Sequence, residues 1–549
     1  MTPRLLSDDM PSDLAAVLQQ WLDEEMDSTP VRASALGIDG YDDRLGDHSE
    51  AAIRACEQRD DRFRATLESF TDDALSLDDQ IDRDLVLASL RGRLVMRHWA
   101  NWRRDPALYL GPCLQGVFTL FLNRLHPEPD LVRFAEARLR AVPEVLAAGK
   151  ANLSAELANP VIVGRGAGQA GAGITYAREL VPAEVSDPAL RARLAEAGEV
   201  AAEAFADFRA FLEDLAPRAQ GPYAIGEERY SGLLEQKELL GYGAGDMRER
   251  GRAAYAELDA EMQELAAKVR NTTDWRAVVE ELNDDHPSSP DDMRQKYEDW
   301  TERARQFLRD NELVTLPDGE QCLVDPSPPF QRPIMAVASY SSPPAFKPGL
   351  TGHFFVPYPP EGAPPEEVAK RLATNSHGSI PTIAVHEAYP GHHWHLSWMQ
   401  KLDRPVRKVV WTSYFVEGWA LYAERLMREQ GFFTDPAQEL CHLDARIFRA
   451  ARIVVDTSLH IGDMTFEEAV EFMRTKASLS EPTARAEVGR YCTWPTQASS
   501  YLTGSLEIER IRAAYFDRGL GDVRSFNDTI AGSGGLPIAL AERAVIGSA

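Results

Sequence analysis

Apolar residues in this chain recur three and four positions apart far more often than at every second position. That is the spacing of a helix face rather than of a half-buried strand. Long Ala-, Leu-, Glu- and Arg-rich stretches carry it, notably 187–215 and 248–269. Thr465-Phe466-Glu467-Glu468 has the form of a capping box opening a helix through Met473. The segment 413–424 reads as a buried, largely apolar helix with Glu417 on its inner side. Strand-like writing is scarce and concentrated in 312–358, where 313–324 carries a Pro-Asp-Gly turn signal and 334–340 and 353–358 are rich in β-formers. The pattern predicts a mainly α protein with a small antiparallel β-sheet, whose edge strand could take an extended peptide or serve simply as a structural hairpin.

Length allows several domains, since the chain has 549 residues. No Gly/Ser-rich linker, low-complexity tract or repeat divides it, so one domain over 8–545 is expected. Within it, a helical N-terminal part covers about 8–310 and a second part about 311–545. The Pro-rich stretches 326–333, 343–348 and 357–365 read as shaped loops beside that second part.

One segment brings chemistry into the picture. His386-Glu387-Ala388-Tyr389-Pro390-Gly391-His392-His393 places imidazoles and a carboxylate together, then interrupts the helix that carries them. A zinc-peptidase helix writes His-Glu-x-x-His, because residues i and i+4 share a face. On a straight helix i+6 lies about 9 Å along the axis and roughly 120° off the face, and i+7 rises about 10.5 Å. Neither His392 nor His393 can share a metal with His386 unless the helix breaks. Pro390 lacks an amide proton and disfavours helical geometry at Tyr389, while Gly391 widens the backbone choice. A two-residue loop at Pro390-Gly391 would bring in His392, a three-residue distortion His393; His392 is favoured. Glu417, about 25 residues further on, is the expected third ligand, since two His and one Glu leave a coordination position open for water. Glu424, two turns later, either orients a ligating imidazole or is a solvated helix-face charge.

HEAYPGHH followed by FVEGWALYAE resembles a bacterial family of unknown function, number 885, and through it the His-Glu zinc peptidases. The similarity runs nearly the full chain, including 30–37 and 41–45 near the start and 452–460, 490–501 and Gly504 near the end. Thr496 stands where the family more often has Gly, and His395 where it more often has Gln; both departures bear on the pocket rather than on a ligand. The resemblance implies a large two-lobed helical metallopeptidase-like fold with a deep groove, as in oligopeptidases such as neurolysin, with the small sheet near the metal site. It also implies one Zn²⁺ on His386, His392 and Glu417, with Glu387 as general base for the hydrolysis of short peptides. An oxyanion donor is expected from Tyr501, because related peptidases place a tyrosine after the ligands, or from His460, which shares a helical face with Asp456. Other outcomes of the same motif are hydrolysis of a non-peptide amide or ester, or a helical binding protein that retains the metal without turnover. His353, His377 and His395 receive no role.

Composition narrows the partners. With 86 acidic against 59 basic side chains, the formal charge of −27 disfavours nucleic acid and anionic membranes. The most apolar run, 108–122, is too short to span a bilayer. Cys56, Cys113, Cys322, Cys441 and Cys492 show no metal spacing and read as reduced thiols. With an acidic N-terminus and no apolar leader, a cytoplasmic location is the default expectation. Gly166-Ala167-Gly168-Gln169-Ala170-Gly171 fits a dinucleotide-binding pattern, but no βαβ unit surrounds it, and a flexible loop is the better reading.

Overall fold

Side-chain caps set the ends of the long helices. Asp187 accepts hydrogen bonds from the Ala189 and Leu190 amides, and Pro188 fills the first turn of the helix Pro188–Leu215. Thr465 and Glu468 form both arms of the expected capping box, opening the helix Phe466–Lys476. The expected helix over 248–269 extends as Ala244–Arg270. The computed structural model describes residues 13–329, 331–332 and 337–547, so the first residues of the 8–545 extent and the β-rich 334–336 lie outside the described residues. Packing divides the chain into two units, and the sequence division near 310 falls inside the second of them.

The first unit holds residues 1–223 and 404–410. Its core joins Val117 and Phe121, Val132 and Leu139, Val163, and Phe205, Phe208 and Leu212 from successive helices. One of these is Pro160–Thr175, opened by the Asn159 cap and Pro160. It contains the glycine-rich 166–171, which is therefore helical and corrects the loop expectation. The reason is close packing: a Cβ on Gly166 would lie 2.3 Å from Pro106 Cγ, and one on Gly173 2.9 Å from Phe205. Arg407 joins the unit through Asp82, its Nε 2.6 Å from Oδ1.

The second unit holds residues 224–403 and 411–549. Two long helices, Ala244–Arg270 and Pro436–Ile461, pack along one another, as do Ser413–Glu429 and Ser500–Asp517. Three strands, β1 (Glu320–Pro326), β2 (Ser339–Ser341) and β3 (Leu350–Val356), form a sheet in the order β1-β3-β2. β2 pairs antiparallel with β3, but β1 pairs parallel with it, Glu320 opposite Leu350. The sheet is therefore mixed rather than antiparallel. The Pro-Asp-Gly turn precedes β1 instead of joining two strands, with Gly319 at φ 80°. Residues 313–315 pair elsewhere: Leu313 O accepts from Asn527 Nδ2 at 3.0 Å, and the Thr315 amide donates to Asp528 Oδ1 at 2.8 Å. No helix among the described residues is long and apolar enough to cross a membrane.

Candidate metal site

The helix Ile380–Glu387 carries His386 on its last turn and ends where Ala388 leaves helical geometry. Gly391 then folds back: its amide donates to Val385 O at 3.1 Å. A Cβ at this position would lie 1.9 Å from His386 O, so only glycine fits. A second helix, His392–Gln400, starts at once. The break brings the His386 and His392 rings to 4.8 Å between centroids, nearly perpendicular at 88°.

Glu417 comes from the helix Ser413–Glu429. That helix crosses Ser500–Asp517 at two glycines, where a Cβ on Gly504 would lie 1.8 Å from Tyr414 O and one on Gly418 2.6 Å from Gly504. Trp419 Nε1 donates to Pro390 O at 2.8 Å and ties the same helix to the break. Glu417 Oε2 consequently sits 3.7 Å from His386 Nε2 and 3.5 Å from His392 Nε2. One donor atom from each of the three residues lies within 4.8 Å of the others.

Glu424, seven residues along the same helix, is buried, and its Oε1 is 2.7 Å from His386 Nδ1. Its other oxygen is 3.4 Å from Nδ1 of the buried His442. Burial lowers the His386 pKa, but its pairing with Glu417 and its bond to Glu424 outweigh that and raise it to about 10, so without a metal both ring nitrogens face carboxylates as donors. Burial pushes the Glu417 carboxyl up, but bonds from His386 and His392 outweigh it and hold the group below its ordinary range. Glu424 is held down in the same way, burial being overcome by His386 and His442.

The second histidine of the pair turns away. His393 Nε2 is 2.8 Å from Glu320 Oε2 and its Nδ1 is 2.9 Å from the Tyr340 hydroxyl. Glu320, at the start of β1, also accepts from Arg305 at 2.6 Å and from the Tyr389 hydroxyl. His392 alone of the two imidazoles therefore faces Glu417 among the described residues.

Glu387 follows His386 directly and is partly exposed. Burial raises its pKa; His386 and His392 pull it down, and Glu417 pushes it up again, leaving it above the ordinary carboxylate value. Tyr501 is half-buried, its hydroxyl 3.2 Å from Gln497 Nε2 and its ring 4.8 Å from the Arg452 guanidinium. Burial and the negative charge of Glu417 raise its pKa, so the hydroxyl keeps its proton. His460 lies in a buried polar group, Nε2 3.0 Å from Tyr491 O and its ring stacked on Tyr230 at 5.9 Å. Asp456 Oδ1 is 3.7 Å from that imidazole, while Oδ2 accepts from the Tyr230 hydroxyl at 2.7 Å.

The donor set fits a divalent metal. Two imidazole nitrogens and a carboxylate oxygen, within 4.8 Å of one another, are a set that a divalent ion takes in place of the imidazole protons. Sequence reasoning passed over Glu320, Tyr340, His442 and Gln497, which hold or orient the site from distant segments.

The sequence profile of the family described as "Bacterial protein of unknown function (DUF885)" matches residues 30–545. The chain belongs to the DUF885 family. Among curated proteins none matches this DUF885 chain. Solved structures share its fold, two of them as follows. One, described as a "putative lipoprotein of unknown function" from Shewanella oneidensis, has a TM-score of 0.80 at 21% identity, covering 98% of this chain and 100% of the other. A second, a "putative lipoprotein" from Colwellia psychrerythraea, has a TM-score of 0.80 at 19% identity over 97% of this chain and 98% of the other.

Proposed function

We propose that this DUF885 protein is a metal-dependent hydrolase, most simply a zinc metallopeptidase of short peptides, related to the His-Glu zinc peptidases. The observation that carries the reading is the convergence of His386 Nε2, His392 Nε2 and Glu417 Oε2, with Glu387 next in the chain. Those three residues would hold one divalent ion, zinc being favoured by two imidazoles and a carboxylate. Such an ion, when bound, supplies Lewis acidity and a more acidic water.

The remaining work falls to the chain's own groups. Glu387 takes a proton from the attacking water on its carboxylate and returns it to the departing amine nitrogen. The Tyr501 hydroxyl, kept protonated, donates to the developing oxyanion. Glu424 fixes the His386 ring through Nδ1. His460 is the second candidate donor, and its bond to Tyr491 O would have to be exchanged for one to substrate.

For the compartment, the lipoprotein descriptions of the two structural relatives favour the cell envelope over the cytoplasm. Fractionation of native cells tests this. For the metal, elemental analysis of protein purified in zinc is expected to give one ion per chain, lost in Glu417→Ala. Absence of metal from the folded wild type would remove the proposal.

A further inference from the structure

The segment 30–45, one of the blocks carrying the family resemblance, takes no part in the metal chemistry. Val31, Arg32, Ala35 and Leu45 from it, with Pro112 and Gln115, line a cavity of about 370 Å³ in the first unit. Small-molecule sites run from about 300 to 1,000 Å³ and are mostly apolar with a few placed polar groups. Ser28, Thr29, His48 and Thr119 complete the wall, whose exposed area is mostly apolar, with Arg32 as its fixed cation.

Arg32 belongs to a group with unequal charge. Its Nη1 is 3.9 Å from Glu25 Oε1 and its Nη2 donates to Val409 O, while Glu25 is also held by Arg59 at 2.7 Å and Arg93 at 2.6 Å. Asp60 pairs with the same two arginines, at 2.8 and 3.2 Å. Three guanidiniums thus face two carboxylates. Arg32 is the member at the cavity, its side chain 41% exposed against 5% for Arg59. Burial lowers the Arg32 pKa, and the like charge of Arg93 adds to that against the pull of Glu25. A locally positive wall does not follow from composition in a chain of formal charge −27.

We infer that this cavity binds a small aliphatic carboxylate, its chain against Val31, Ala35, Leu45 and Pro112 and its head group on Arg32. An anion there balances the third guanidinium, and the apolar wall rewards a hydrocarbon body. The site shares no residue with the metal cluster and stands without the hydrolase reading.

Calorimetric titration of the full chain with octanoate, and with octanamide as an uncharged body of the same length, tests the inference. Octanoate should bind saturably and about tenfold or more tighter than octanamide. Arg32→Gln should bring the two to the same level, and Ala35→Phe, which fills the cavity, should weaken both. Circular dichroism checks that each variant is folded, and the wild-type comparison stands even if one is not. No saturable binding, equal binding of octanoate and octanamide, or unchanged binding in folded Ala35→Phe would overturn the inference.

Discussion

At His392 and His393 a single residue step sends one imidazole toward Glu417 and the next to Glu320, 2.8 Å away. Replacing each therefore has a different consequence. His392→Ala removes a donor and should abolish zinc retention, whereas His393→Ala leaves the three donors in place and should retain zinc; elemental analysis reads both. Glu424→Gln keeps the shape but weakens the acceptor on His386 Nδ1, and metal affinity should fall about 10- to 100-fold in a competition titration. Glu387 carries the pH dependence. Its pKa is raised above 4.5 by burial, and a base works only when ionised. The acid limb of kcat/KM should therefore follow its ionisation, with activity falling as the pH drops through it. Glu387→Gln should cost about 10²- to 10⁴-fold in kcat while leaving the donor set intact.

Among the elements, two close backbone approaches hold the site together. A Cβ at Gly391 would sit 1.9 Å from His386 O, and one at Gly504 1.8 Å from Tyr414 O. Gly391→Ala must open the helix break, and Gly504→Ala must move the Glu417 helix. Each is expected to cost about 3 kcal/mol or more in denaturant unfolding, and both should lower zinc retention. The break itself was legible in the sequence, because Pro390 and Gly391 act through local backbone chemistry. The capped helices were legible for the same reason. The sheet was not: β1 meets β3 some thirty residues on, and only the tertiary capture of Leu313 and Thr315 by Asn527 and Asp528 shows why no hairpin forms. Nor was the helix over 166–171, where close packing of Gly166 against Pro106 and Leu212 overrides the poor helix propensity of glycine. Glu320 and His442 reach the site across long sequence separations that periodicity does not report.

Over the whole chain, an excess of acidic groups makes low pH the revealing condition. In the first unit, burial pushes Glu25 up, but Arg93, Arg59 and Arg32 outweigh it and hold its pKa down, from 4.5 to about 2. A depressed carboxyl contributes stability above the unfolded value, and that stability is lost as the pH falls from 4.5 toward 2. The contribution is on the order of 3 kcal/mol. Urea unfolding at stepped pH should show that loss in the wild type and a flatter acid slope in Glu25→Gln. The three converging donors and the adjacent Glu387 bear on one proposal, that this chain hydrolyses peptides with a bound metal. Incubating the zinc-loaded protein with a mixed peptide library, beside Glu387→Gln at equal zinc content, tests it most directly. The account predicts new peptide termini in the wild-type digest, absent or strongly reduced with the variant. Stoichiometric zinc with no cleavage, or cleavage unchanged by the substitution, would contradict it.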